Sequence, residues 1–397
     1  MSQQQPQIVN TDPFDLYSPE FDANPYPAYA ELMENHPCYW SEIAGKWVLT
    51  RYEDVFEALH NWQQFSSAQG NLVDELPGRA GNTLGSMDPP RHDQVRSVVH
   101  SVFAKRNLDH MIEPIRALTN AALDGVEGQQ VFDFSNDVSA RVTVGLLCAL
   151  MGLPDGDNAT LRDMALIMAQ TDPITRQKGP KHIAAFEWVK EYAEKAIRMR
   201  EEQPGDDIIS QMLTAEVDGT TLTFAEVQTT MTTLIMAGVE SLSGFLSMMA
   251  LNLADFPEAR RELVANPELI SGAIEESLRY NTTAQRFRRV LPQDLELHGQ
   301  QMKAGDFVIL CYGAANRDPR KFADPDVFDI HRNPKGHLGF GGGVHLCLGA
   351  AIGRLAAKVF FEEFLKRIPE FTRTDDPMQW VSSSNFRSPL DMKLKRG

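Results

Sequence analysis

A strongly apolar stretch of one helix length limits how this chain can fold. Residues 234–253 read LIMAGVESLSGFLSMMALNL, which is close to the roughly 20 apolar residues that a helix needs to span a bilayer. Glu240 and Ser241 lie near its middle, where a carboxylate or hydroxyl is costly unless it has a partner or a function. We therefore predict a helix buried in the core of a large soluble protein, with no membrane span.

The ends of this helix are marked in the sequence. Thr223 and Glu226 have the spacing of a capping box, and Pro257 follows the apolar stretch, so one central helix is predicted over about 224–255. Most other segments show helical periodicity, with short strands predicted at 47–50 and 307–310. A long loop rich in Gly, Asn, Ser and Pro covers 66–90, and loops of that length are often functional.

Composition and charge exclude several classes of protein. The chain has 397 residues, 43% of them hydrophobic and 23% charged, as in ordinary globular proteins. It shows no internal repeat or low-complexity linker, so we predict a single domain over 1–397. The formal charge of −16 argues against a nucleic-acid-binding protein. The N-terminus lacks the pattern of a signal peptide and the four cysteines form no CxxC pair, so a cytoplasmic protein with reduced thiols is expected.

The segment 339–349, GFGGGVHLCLG, places Cys347 between a glycine-rich turn and a helical pattern. Such a cysteine can be a packed thiol, a nucleophile that uses His345 as its base, or a ligand. A dinucleotide-binding loop is disfavoured because Val344 stands where the third glycine is required. The glycines allow a flat cofactor to approach the backbone, and the helix N-terminus would stabilise a thiolate. A thiolate beside a planar pocket suits haem iron.

At every fixed position, Phe340-Gly341-x-Gly343-x-His345-x-Cys347-x-Gly349 resembles the haem-binding signature of the cytochrome P450 monooxygenases. The resemblance, to a soluble bacterial member, extends over nearly the whole chain. It implies a mainly α fold with small β-sheets, in which one large triangular helical domain carries a minor β-rich region and the haem-ligand loop covers 337–349. It also implies haem b with the Cys347 thiolate as axial iron ligand, and it assigns Phe340, Gly341 and Gly349 to the haem-binding set.

Two further groups of residues match the family. The resemblance assigns four donors to the haem propionates: His92, Arg96, Arg289 and His345. From spacing alone, the first two share one helix face and could equally be spare surface charges. The resemblance assigns a structural role to a second group, in which an ExxR pair supports the cysteine loop through a downstream arginine: Glu276, Arg279 and Arg332.

The central helix carries the residues that the resemblance makes catalytic, namely Gly238, Glu240 and Ser241. In the family, an acid and an alcohol deliver protons to dioxygen bound above the haem, which is general acid chemistry. The alcohol is usually threonine, so Ser241 keeps the hydroxyl but loses the methyl group that restricts its rotamer. The presence of this pair favours dioxygen over peroxide as the oxidant.

By family analogy, the substrate pocket combines the 66–90 loop with residues at four other places in the chain. The candidate contacts are Met236, Ala237, Thr283, Gln285, Phe287 and Phe386, with Ser384 and Asn385 next to the last. These residues offer Met and Phe surface with a few polar anchors, which suits a small, mostly apolar substrate. We expect one oxygen atom to be inserted into a terpenoid or aromatic compound by hydroxylation or O-dealkylation.

Electrons must come from other proteins, because the sequence contains no flavin, nicotinamide or iron–sulfur motif. We expect a monomer that receives electrons from NAD(P)H through a ferredoxin reductase and a ferredoxin. Seven cations near the thiolate side could attract an acidic partner, or could simply be solvated: Lys105, Arg106, Arg320, Lys321, Lys335, Arg354 and Lys358.

Two other functions remain possible from the sequence. One is a haem-thiolate sensor or binding protein without turnover, which the Glu240 and Ser241 pair disfavours. The other is a non-haem thiol enzyme that uses Cys347 and His345, which leaves Arg96, Arg289 and the ExxR pair unexplained.

Overall fold

Helices dominate the computed structural model, which describes residues 12, 14–103, 108–154, 156–217 and 219–397. The α-helices are α1 (Pro19–Ala23), α2 (Tyr26–Asn35), α3 (Tyr52–His60), α4 (Arg91–Phe103), α5 (Ile112–Asp124), α6 (Ala140–Met151), α7 (Asn158–Ala169), α8 (Pro180–Glu202), α9 (Ile208–Thr214), α10 (Phe224–Asp255), α11 (Pro257–Ala265), α12 (Ile270–Tyr280), α13 (Tyr312–Ala315) and α14 (Ala350–Arg367). A π-helix, Phe134–Ser139, precedes α6.

The strands form small sheets beside the helices. They are β1 (Cys38–Ser41), β2 (Lys46–Leu49), β3 (Val131–Asp133), β4 (Arg286–Val290), β5 (Leu295–Leu297), β6 (Gln300–Met302), β7 (Phe307–Cys311), β8 (Phe371–Arg373) and β9 (Lys393–Arg396). The largest sheet has the order β1-β2-β7-β4, in which only the β2–β7 pair is parallel. A second sheet has the order β3-β9-β8, and β5 pairs with β6. The predicted mainly α fold with small β-sheets is confirmed.

Helix α10 runs through the core, with α6, α7 and α8 packed against it. Its capping box is formed: the Glu226 backbone N–H donates to the Thr223 hydroxyl at 3.3 Å, and the Thr223 N–H donates to the Glu226 carboxylate at 2.9 Å. Met231, Ile235 and Leu246 are fully buried along the helix. Burial of this apolar side-chain surface is the main stabilising contribution at the centre of the fold.

By length and composition alone, α10 could cross a membrane, and no other described helix meets that test. However, 67% of its most apolar window is buried inside the protein. The core helix of a soluble protein passes the same test, so α10 gives only weak evidence for a membrane span.

A buried cluster of charges lies at the C-terminal half of α12. Glu276 and Arg279 both have no exposed surface, and two N–H groups of Arg279 donate to the two carboxylate oxygens at 2.8 and 2.7 Å. The Arg332 Nε donates to the same carboxylate at 3.1 Å, as does the Asp329 backbone N–H at 3.0 Å. Every charge in the cluster is therefore paired and hydrogen-bonded, the condition under which buried charges are tolerated.

This cluster is connected to the loop that carries the cysteine. Arg279 donates to the Asn316 backbone carbonyl at 3.0 Å. The Asn316 side-chain oxygen in turn accepts a 2.6 Å hydrogen bond from the backbone N–H of Leu338, and its amide nitrogen donates to the Leu278 carbonyl at 3.4 Å. The start of the cysteine loop is thus tied to α12 through one buried asparagine.

We predict that Glu276→Gln lowers the free energy of unfolding by about 3–5 kcal/mol, because it leaves the buried Arg279 and the partly buried Arg332 without this counter-charge. Urea denaturation followed by circular dichroism measures the change.

The neighbouring acid gives a matched control. Glu275 is only partly buried and pairs with Arg354 at 2.6 Å, so Glu275→Gln should cost about 1 kcal/mol or less. Equal losses in the two variants would contradict a special role for the buried cluster.

Candidate active site

An internal cavity of about 320 Å³ lies between α10 and the cysteine loop. Its walls are mainly apolar and come from α6, α10, α14, β4 and the 66–90 loop; they include Leu72, Leu146, Leu147, Leu234, Phe287 and Ile352. This size and lining are typical of a site for a small organic molecule.

The cysteine loop approaches the cavity through a tight turn. Gly343 has a φ of +62°, and a Cβ at this position would lie 1.9 Å from the Leu59 carbonyl oxygen. Only glycine fits this combination of left-handed backbone and close packing. The backbone N–H of Cys347 then donates to the Phe340 carbonyl at 2.9 Å, which closes the loop just before α14 begins at Ala350.

The Cys347 thiol faces the cavity, so its side chain has accessible surface although protein atoms enclose it. This burial raises the pKa of the thiol, while the backbone N–H of Gly349 and the charges of Arg96 and Arg354 oppose the rise. The other three cysteines are buried in the protein interior. Among the described residues, no hydrogen bond joins this thiol to His345, as a nucleophile–base pair would require.

Four cationic or imidazole side chains gather at one end of the cavity. The rings of His92 and His345 are 4.6 Å apart, and within the described part of the chain neither Nε2 has a hydrogen-bond partner. Burial, and then the charge of Arg289, lowers the pKa of His345; burial also lowers that of His92. Arg96 and Arg289 line the cavity beside His345, so this end is rich in hydrogen-bond donors.

The structure separates the two polar residues predicted on the central helix. Ser241 lines the cavity, where its hydroxyl donates to the Ala237 carbonyl at 2.5 Å. Glu240 does not line it; this carboxyl is buried against a separate small cavity, where the Ser388 hydroxyl donates to it. Burial raises the pKa of Glu240 to about 7, despite that hydrogen bond and the charge of Arg162. Gly238 lines the main cavity, and a Cβ there would lie 2.7 Å from Leu147.

Comparisons with known proteins decide the family. The Cytochrome P450 family model matches residues 158–379. The chain is 32% identical to the cyclomarin C epoxidase CymV of Salinispora arenicola over 92% of this chain and 94% of that protein. It is 31% identical to the methyl-branched lipid omega-hydroxylase of Mycobacterium tuberculosis over 89% and 87%.

This chain belongs to the cytochrome P450 family.

A solved structure agrees: CYP109E1 from Bacillus megaterium in complex with testosterone has a TM-score of 0.88 and 28% identity, covering 96% of this chain and 100% of that one. Like its relatives, this cytochrome P450 is an oxygen-incorporating oxidoreductase, a monooxygenase of the bacterial type. The family holds haem through a cysteine thiolate, as the resemblance implied.

The residues around the cavity fit a haem. A propionate is a carboxylate, and the unpaired Nε2 atoms of His92 and His345, together with the guanidinium groups of Arg96 and Arg289, supply the donors that two carboxylates require. Phe340, Gly341 and Gly349 also line the cavity near the thiol. His92 itself does not line it and reaches this end only through its contact with His345.

Most predicted substrate contacts lie on the cavity wall, but three residues of the predicted set do not. Met236, Ala237, Thr283, Phe287 and Phe386 all line the cavity.

Gln285 does not line it. Its side chain is fully buried, accepts a hydrogen bond from the Tyr29 hydroxyl at 3.0 Å and donates to the Thr282 carbonyl at 2.6 Å. Asn385 is also used structurally, since its amide donates to the Arg286 carbonyl at 2.8 Å. Ser384 bonds to Thr171 at 3.1 Å. None of the three side chains is available to a substrate.

Several polar residues on the cavity wall were not identified from the sequence, among them Tyr312, Asn71 and Arg79. Tyr312 contacts the Arg289 side chain, and Asn71 and Arg79 come from the 66–90 loop. Tyr312, at the start of α13, has no recognisable signal because its partner Arg289 lies on β4, distant in the sequence. An arginine in a loop otherwise rich in small residues was the available signal for Arg79.

Acidic residues neutralise several of the cations predicted to form a docking patch. Arg320 pairs with Glu34 at 2.7 Å, Arg354 with Glu275 at 2.6 Å, and Lys358 lies 3.8 Å from Glu362.

Two other members of that set, Lys105 and Arg106, lie outside the described residues. Lys321 lies over the ring of Tyr52 at 4.7 Å, and Lys335 is exposed. The surface is therefore less basic than the sequence suggested. It also exposes an apolar side chain next to the cysteine, Leu346, which is 46% accessible.

Proposed function

We propose that Cys347 is the axial thiolate ligand of a haem b in this cavity, and that the protein inserts one oxygen atom from dioxygen into a small, mostly apolar substrate. The observation that carries this proposal is the geometry of the cavity. A single cavity-facing thiol lies near four donors, two of which have no partner among the described residues. Deprotonated cysteine and unpaired donors are the groups that haem iron and its propionates bind.

When bound, the haem supplies the activation of dioxygen, which consumes two electrons and two protons. The chain itself supplies a thiolate that donates electron density, a pocket that excludes bulk water, and a route for protons. Arg96, Arg289, His92 and His345 would hold the propionates of the cofactor. Phe287 and Phe386, whose rings are 5.9 Å apart and nearly perpendicular, help to orient an apolar substrate.

Ser241 and Glu240 are proposed to serve proton delivery from different positions. The Ser241 hydroxyl lies in the cavity wall, where it can pass a proton toward the reacting centre. Glu240 lies behind it as a buried carboxyl that holds its proton up to about pH 7, as a general acid near neutral pH should. Because Ser241 donates to Ala237, its hydroxyl must rotate before it can donate to another acceptor.

The proposed reaction is hydroxylation or O-dealkylation of a terpenoid or aromatic compound. The apolar wall of the cavity supports this substrate class. A structural neighbour holds testosterone, and one relative is named an epoxidase and another an omega-hydroxylase. The lipid and the steroid in these names support an apolar substrate.

We also propose an external electron supply, with NAD(P)H acting through a ferredoxin reductase and a ferredoxin on a cytoplasmic, monomeric enzyme. The surface beside the cysteine supports this, since Leu346 is exposed there together with Lys335 and Lys321. An apolar centre with flanking cations suits a small acidic partner.

We predict that Cys347→Ser abolishes the strongly red-shifted Soret band that the ferrous carbonyl complex of a thiolate-ligated haem shows. The measurement is the carbonyl difference spectrum of the reduced protein, with Cys38→Ser as the control because Cys38 is buried far from the cavity. A wild-type protein without haem, or a Cys347→Ser variant that keeps the band, would contradict the proposal.

We predict that Glu240 makes stability fall as pH rises. The pKa of this carboxyl is about 7 in the folded protein against 4.5 in its usual environment, so between these values the folded state keeps a proton that the unfolded state releases. Stability is lost across this window and then levels off. Between pH 5 and 8, Glu240→Gln should reduce the fall in the unfolding free energy by about 2–3 kcal/mol, measured by urea denaturation.

Ser388→Ala gives a control of opposite sign. It removes the hydroxyl that stabilises the ionised Glu240, so the fall should become larger. If wild type and Glu240→Gln lose stability in parallel, this carboxyl does not hold its proton near neutral pH.

Reversing two exposed cations should weaken reduction by a ferredoxin. The Lys321→Glu/Lys335→Glu double variant should slow the rate several-fold at low ionic strength and less at high ionic strength, because salt screens surface charges. Stopped-flow reduction measures the effect. Lys195→Glu, on the exposed face of α8, is the control, and an equal loss there would refute a local docking patch.

A further inference from the structure

One charged side chain on the cavity wall has no part in the proposed haem site. Arg79, in the 66–90 loop, lines the cavity although it is only 2% exposed. The other charged residues on the wall, Arg96 and Arg289 together with His345, belong to the end with the propionate donors. Arg79 is therefore a charged group on the wall that is not assigned to the propionate end of the cavity.

The guanidinium group of Arg79 is held from one side only. Its Nη1 donates to the Asn71 side-chain oxygen at 2.9 Å and to the Glu75 carboxylate at 2.8 Å. Its Nη2 donates to the same Asn71 oxygen at 2.9 Å. The Asn71 oxygen thus accepts from the inner hydrogens of both terminal nitrogens, and the Glu75 carboxylate accepts from the outer hydrogen of Nη1.

An arginine has five N–H donors, and two of those of Arg79 remain without a partner among the described residues. The Nε of Arg79 has no hydrogen-bond partner among the residues that the structure describes, and Nη2 uses one of its two hydrogens. These free donors lie on the same edge of the guanidinium group and point in parallel. That edge matches the two oxygens of a carboxylate. Burying the Nε–H without a partner has an energetic cost that an acceptor on a ligand in the cavity would remove.

The charges around Arg79 are short of negative partners. Three further cations interact electrostatically with one or both of the carboxylates Asp74 and Glu75: Lys46, Lys178 and Arg288. With Arg79 this makes four cations against two carboxylates among the described residues. Lys178 and Arg288 are buried and donate to backbone carbonyls, so their charges are not compensated elsewhere. A carboxylate brought by a ligand would reduce the imbalance.

We propose that the substrate of this enzyme carries a carboxylate on an otherwise apolar body, and that the free edge of Arg79 binds this carboxylate through Nε–H and Nη2–H. Asn71 and Glu75 act as positioning residues that fix the plane of the guanidinium group. The apolar wall of α6, α10 and β4 holds the rest of the molecule. This inference rests on the proposed function, because it takes the cavity beside Cys347 as the substrate site.

The experiment compares acids with their methyl esters on the haem-loaded enzyme. The probes are 4-phenylbutanoic acid and decanoic acid, each with its methyl ester, and isothermal titration calorimetry gives the Kd of each. We expect each acid to bind about tenfold more tightly than its ester. In Arg79→Gln, acid binding should weaken by about 10- to 100-fold, while ester binding changes less than about threefold.

Two further variants protect the test against misfolding. Arg79→Lys keeps the charge but not the paired donors, so most of the preference for the acid should be lost. Glu75→Gln removes the carboxylate that competes for Arg79, so acids should bind more tightly than to wild type. Unchanged ester binding shows that each variant is folded.

Several results would overturn the proposal: no binding of either acid, equal binding of acid and ester by wild type, or equal loss of both in Arg79→Gln. The carbonyl difference spectrum keeps this outcome apart from failure of the proposed function. A protein with the thiolate band and no preference for acids refutes only the role of Arg79, whereas absence of the band refutes the haem site itself.

Discussion

The position of the cysteine depends on a buried charge cluster that is distant from it in sequence. Glu276 receives hydrogen bonds from Arg279, Arg332 and the Asp329 backbone with no exposed surface of its own. Such a cluster is tolerated only when every charge has a partner, so it specifies the path of the chain that supplies those partners. Through Asn316, the same contacts fix Leu338 at the entrance to the cysteine loop.

The sequence predicted those parts of the structure whose signals are local. These parts are the capping box at Thr223, the length of α10 and the turn before Cys347. Each is signalled by residues that are close to one another in the sequence. The histidine and arginine donors came from a family resemblance, since spacing alone could not distinguish them from surface charges. The mainly α fold followed from the same resemblance and from helical periodicity.

Features that depend on distant partners could not be predicted. Gln285 lies two residues from both Thr283 and Phe287, so alternation along a strand would place all three side chains on the same face. Its side chain instead accepts a hydrogen bond from Tyr29, which is 256 positions away. Regular alternation does not apply there because β4 begins only at Arg286. The ion pair between Arg354 and Glu275 could not be predicted from the sequence either. In each case, the decisive neighbour is brought close by the fold and not by the sequence.

The polar groups of the active site lie in three separate regions. Donors cluster at one end of the main cavity, Arg79 stands in the loop that forms another wall, and Glu240 lies in a compartment of its own. Apolar side chains separate these groups, and in such surroundings electrostatic interactions are stronger than in water. Each polar group therefore interacts strongly with its own nearby partner.

The two faces of α10 have a consequence for how this enzyme can diverge. Ser241 and Met236 face the main cavity, whereas Glu240 faces the small one with Ser388. Substitutions that reshape the substrate wall leave the acid and its partner untouched, because the helix backbone stands between them. New specificities can accordingly arise on one face while the buried Glu240 and its partner Ser388 are inherited unchanged on the other.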